Sequence, residues 1–60
     1  MPKLKKLRED SFLTQAELAE KVGCVEHTVS NWERGKQKPT FKYIRKLAKI
    51  LKVNPKDIEF

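Results

Sequence analysis

The sequence has one cysteine, Cys24, and one histidine, His27, among its 60 residues. A single cysteine excludes an intramolecular disulfide, and no pair or cluster of cysteines and histidines exists to hold a structural metal. The same scarcity removes most catalytic chemistry. One His, one Cys and no converging acid, base and nucleophile leave no reaction to write, so the sequence is read as a non-enzyme with no cofactor and no apparent small-molecule ligand. Apolar residues never run beyond adjacent pairs, far short of the eighteen or more needed to cross a bilayer, and no signal-peptide apolar region follows the N-terminal lysines. A soluble, cytoplasmic protein is expected. Acidic residues are also in deficit, with 14 Lys and Arg against 8 Asp and Glu and a formal net charge of +6. That surplus attracts polyanions, which makes nucleic acid the first partner to consider. An acidic membrane surface competes poorly, because a membrane-bound helix needs a wide apolar face and the apolar positions here are committed to a core.

A chain of this length supports one domain, 1–60, and buries only about 60% of the surface its unfolded form exposes. Stability therefore rests on an apolar core or on a second subunit. Apolar residues recur at helical spacing, as in Leu4 and Leu7, Leu18, Ala19 and Val22, Val29 and Trp32, and Ile44, Leu47, Ala48 and Leu51. No stretch alternates as a strand would. Thr14, Thr40 and Asn54 are placed as N-caps, Pro55 at a first helical position, and Gly23 and Gly35 where helices stop. The reading is an all-α, compact five-helix domain, with helices near 2–10, 15–22, 26–34, 41–51 and a short one at 55–59. The second helix has the best-specified start, since Thr14 and Glu17 fit a capping box with Leu13 and Leu18 as the hydrophobic staple around it. The third starts less well, because Val25 at its cap position has no side-chain acceptor, a lack that Glu26 offsets in part through the helix dipole.

From Gln15 to Arg34 the chain reads QAELAEKVGCVEHTVSNWER, two short helices separated by a glycine turn. This resembles the DNA-binding helix-turn-helix, with Ala19 small enough for close approach, Gly23 able to take positive φ, and Val29 and Trp32 facing the preceding helix. The resemblance extends over nearly the whole chain to the Cro and phage-repressor-like family, often called the XRE family, through LKKLRED, LTQAELAEKVG, HTVSNWERG, KQKPT and IRKLAKILKV. It implies a lambda-repressor-like fold with the helix-turn-helix at the second and third helices. It also implies an internal salt bridge between Arg8 and Glu33, against the alternative of two unrelated surface charges.

What the resemblance implies for function is a transcriptional regulator, a repressor, that binds double-stranded DNA sequence-specifically by inserting helix 26–34 into the major groove. Base contacts are then expected from Val25, Glu26, His27, Ser30 and Asn31. His27 can donate to guanine, Asn31 can pair bidentately with adenine, Glu26 can accept from cytosine N4, and Val25 can touch a thymine methyl. Each has a plainer alternative: Glu26 as a first-turn acid, Ser30 and Asn31 as solvated side chains, Val25 as core. Phosphate contacts are expected from Gln15 at the start of the second helix, from Arg34, Lys36 and Lys38 in and beside the basic loop, and from Lys42 beyond it. The later lysines of the fourth helix read as a solvated face.

Cys24 reads as a small turn residue with nothing nearby to activate its thiolate. Trp32 lies in the apolar period and reads as core rather than as a base-stacking platform. Tyr43 and Phe60 are open between core and surface. Ile50, Val53, Ile58 and Phe60 make the C-terminal segment more apolar than closing a core requires, which points to a weak homodimer through that segment; the alternative is that Val53 and Ile58 cap the subunit's own core. A second functional reading is a protein-interaction module, such as an antitoxin or anti-repressor component, but the basic loop and polar recognition face argue against interaction as the sole activity.

Overall fold

The computed structural model describes residues 3–59. Within them lie four α-helices, α1 (Leu4–Asp10), α2 (Gln15–Val22), α3 (Glu26–Glu33) and α4 (Phe41–Leu51), followed by one 3-10 turn at Pro55–Asp57. The expected fifth helix over 55–59 is thus corrected to a single turn. Asn54 makes no side-chain cap bond there, and Ile58 returns to extended backbone at φ −91°, ψ 124°. The reason is burial: helical continuation would carry Ile58 away from the core, whereas the extended backbone leaves it only 5% exposed. The chain then runs back beside its own start, where Leu4 N donates to Glu59 O at 3.2 Å. This isolated parallel bridge between Lys3 and Glu59 is a single pairing. It also shortens α1 relative to the expected 2–10, since Lys3 is extended at φ −78°, ψ 156°. Among the described residues no strand is present.

α2 begins where its capping chemistry dictates. Thr14 Oγ1 accepts from Glu17 N at 3.0 Å and Glu17 Oε1 accepts from Thr14 N at 2.8 Å, so two of the unpaired N–H groups at the helix start are satisfied reciprocally. The helix ends at Gly23, left-handed at φ 92°, a conformation that disfavours any β-carbon. Val25 caps α3 without a side-chain bond. α1 closes differently: Phe12 N donates to Glu9 O at 2.9 Å and Leu13 N to Arg8 O at 3.2 Å, the two bonds of a Schellman ending. The left-handed position in it is held by Phe12, at φ 59°, rather than by glycine.

The apolar stripes meet in one core that includes Leu4 of α1, Leu18 and Val22 of α2, Val29 and Trp32 of α3, and Leu47 and Leu51 of α4. Burial of each large side chain among them contributes about 1.5–3 kcal/mol. Tyr43 packs at the edge of this core with its ring 5.5 Å from that of Trp32, and Leu13, Ile50 and Val53 pack against it while staying partly exposed.

Candidate nucleic-acid interface

α3 is divided lengthwise. Val29 and Trp32 are buried on one side, while Glu26 and His27 are exposed and Ser30 and Asn31 are half-buried on the other. Val25, immediately before the helix, is 64% exposed and so lies outside the core. The N-terminal part of α3 therefore presents a short row of polar side chains with one aliphatic residue at its head. At the far end, Arg34 Nη2 donates to Asn31 Oδ1 at 3.1 Å, which ties one prospective phosphate ligand to one prospective base ligand.

The loop after α3 turns tightly. Gly35, at φ 75°, allows Lys36 N to donate to Asn31 O at 3.0 Å. Lys36, Gln37 and Lys38 are exposed, whereas Pro39 is buried and pins the loop to the body of the domain. Lys42 is exposed in the first turn of α4. Beside it stands a residue that sequence reasoning passed over: Phe41 is 80% exposed. Spacing could not find it, because Phe41 is in helical register with Ile44 and Ala48; as the first residue of α4 it projects past the end of the core.

Behind this surface, one carboxylate gathers three helices. The Glu33 side chain is only 4% exposed. Its Oε2 accepts from Arg8 Nε at 2.6 Å. Its Oε1 accepts from Arg8 Nη2 at 3.3 Å and from Gln15 Nε2 at 2.9 Å. Arg8 Nη1 also donates to Leu13 O at 2.8 Å. The hydrogen bond to Glu33 raises the Arg8 pKa above the ordinary guanidinium range, against the opposing effect of burial. The end of α1, the first residue of α2 and the end of α3 are held by this cluster, and the Gln15 amide sits where the unpaired N–H groups of α2 emerge. Nothing local in the sequence signals the bond between Gln15 and Glu33.

The thiol of Cys24 is half-buried, and burial pushes its pKa up. Among the described residues no group of three or more His, Cys, Asp and Glu is placed to hold a metal ion, and no helix is long and apolar enough to cross a membrane.

Residues 4–58 match the helix-turn-helix family. The chain is also 34% identical, over 56 residues, to an uncharacterized HTH-type transcriptional regulator of Archaeoglobus fulgidus; the match covers 93% of this chain and 79% of that protein. With four helices in this order, α3 against α2, and a family match over almost its whole length, the chain belongs to the XRE-type helix-turn-helix family.

Proposed function

We propose that this chain is a sequence-specific double-stranded DNA-binding transcriptional regulator, a repressor acting in the cytoplasm, which places the N-terminal face of α3 in the major groove. The observation that carries the reading is the division of α3: its apolar side is used by the core, and its outward side, from Val25 to Asn31, leads directly into an exposed basic loop. Val25, Glu26, His27, Ser30 and Asn31 read base edges. Gln15, Arg34, Lys36, Lys38 and Lys42 neutralise or hydrogen-bond phosphates. Gln15 retains a second amide N–H for this, because its carboxamide nitrogen carries two donors and Glu33 takes one. Phe41, exposed at the start of α4, precedes Lys42 in the chain.

One recognition helix reads too few base pairs for a genomic address, so two subunits occupy half-sites about 34–36 Å apart. The C-terminal segment is the surface proposed from sequence for joining them. Of its apolar residues Ile58 is in the subunit's own core, Ile50 and Val53 remain half-buried, and Phe60 lies outside the described residues. Selection of preferred sites from random duplexes, followed by titration at several salt concentrations, tests the proposal. Expected are a defined half-site and a log–log salt slope of about −4 to −5 per subunit, as neutralising about four to six phosphates requires. Affinity independent of both sequence and salt would refute it.

A further inference from the structure

Phe12 combines two unfavourable features. Its side chain is 92% exposed, and its backbone is left-handed at φ 59°, a conformation that suits glycine and disfavours a bulky residue. Neither the core nor the proposed DNA surface uses it. Directly beside it, between the α1–α2 turn and the ends of α2 and α4, lies an open groove of about 570 Å³ lined by Ser11, Leu13, Lys21, Ile50 and Lys52. Leu13 and Ile50 are its half-buried apolar residues, and Lys21 and Lys52 are exposed.

The charges on the two sides are opposite. Phe12 follows Glu9 and Asp10, both exposed, so the projecting aromatic carries acids next to it, while the groove carries lysines. Asp10 pairs with Lys6 at 3.6 Å, but both side chains are largely exposed, at 61% and 71%; such a pair is weak and exchanges readily. On a chain of net charge +6 most faces repel a second copy. This turn places an acidic aromatic projection next to a basic-flanked apolar recess, the combination one copy needs to hold another.

We infer that two copies of this chain associate through the α1–α2 turn, Phe12 of each seated on the Leu13 and Ile50 groove of the other, with Glu9 and Asp10 of each facing Lys21 and Lys52 of the other. Because projection and recess are neighbours on one surface, a two-fold axis exchanges them and closes the contact at two subunits. The inference rests on the pairing of subunits proposed above and gives it a surface. Ile50 is common to this groove and the apolar C-terminal segment, and none of the residues lining the groove is among the proposed base or phosphate ligands.

Sedimentation of the full chain over a wide concentration range, without DNA, tests the contact. A reversible monomer–dimer equilibrium is expected. Phe12→Gly should weaken it at least about tenfold while leaving the melting temperature of the dilute chain equal or higher, since glycine suits the left-handed backbone; Phe12→Asn, which also tolerates it, is the second variant. Asp10→Lys alone, or Lys21→Glu with Lys52→Glu, should each weaken association, and the three together should recover most of it. No association at any concentration, association indifferent to both Phe12 variants, or charge reversals that fail to compensate would each overturn the inference. Binding of a single half-site by Phe12→Gly should equal that of the unsubstituted chain. Failure of all duplex binding would sink the DNA reading and leave the sedimentation result standing.

Discussion

Arg8 presents a planar fork of donors, and the structure uses three of its nitrogens, two on Glu33 and one on the Leu13 carbonyl. Removing one member of such a pair leaves a charge buried without compensation, which is the costly direction. Arg8→Met is therefore expected to lower stability by about 3 kcal/mol, measured by denaturant unfolding, with Arg8→Lys recovering only part because ammonium cannot reproduce the fork. The Arg8 pKa is raised on folding, so its contribution is complete below the ordinary guanidinium range and is lost only above it; the neutral range should show no pH dependence from this group. Cys24 also has a raised pKa, so the thiol stays protonated at neutral pH. Its effect on stability should fall away as pH rises beyond the ordinary thiol value of 9.0, and alkylation of the folded chain at pH 8 should be slower than after unfolding. Asn31 separates binding from folding. Asn31→Ala should weaken selected-site binding by about 1–3 kcal/mol and leave the melting temperature nearly unchanged, because among the described residues the Asn31 side chain bonds only to exposed Arg34.

Element endings show the same division between need and use. Gly23 and Gly35 take positive φ at the ends of α2 and α3, while Phe12 and Lys52 take it at the ends of α1 and α4 without being glycine. Lys52→Gly should raise stability by about 0.5–1 kcal/mol, since it relieves a left-handed residue at an exposed position; a loss of melting temperature would show that the lysine side chain contributes more than its backbone costs. The α3–α4 loop is anchored by buried Pro39 yet exposes Lys36 and Lys38. Replacing both lysines with alanine should make the salt slope shallower by about 2 and weaken all duplexes alike, whereas an unchanged slope would remove the loop from the contact surface.

At the scale of the molecule, the core is small and every helix contributes to it. A domain of this size has a stability of about 5 kcal/mol, so Val22→Ala or Leu47→Ala, each costing about 2–4 kcal/mol through lost burial and a cavity, should leave only about 1–3 kcal/mol, seen as a lowered and broadened melting transition. The two ends meet through Leu4 and Glu59, and Arg8 bridges to Glu33 across 25 residues. The packing that supports α3 is therefore non-local, although α3 itself is recognisable locally.

The sequence by itself determined what short-range forces decide. The limits of α2, the glycine turn and the split face of α3 follow from a capping box, a positive-φ requirement and a 3.6-residue apolar period, all of which act within a few residues, whereas α4 starts at Thr40 without a side-chain cap bond and ends on left-handed Lys52. The pairing of Arg8 with Glu33 was accessible only through family resemblance, because no local rule links residues so far apart. Tertiary structure alone decided the rest. Asn54 and Pro55 signal a helix start but not its length, and burial of Ile58 cut that helix to one turn. Periodicity places Phe41 on the core side, yet the core ends before it. Whether Phe12 is covered, what the Gln15 amide holds and which groove Leu13 and Ile50 line together depend on how helices pack, a matter of which surfaces coincide in space rather than of any residue's own preference.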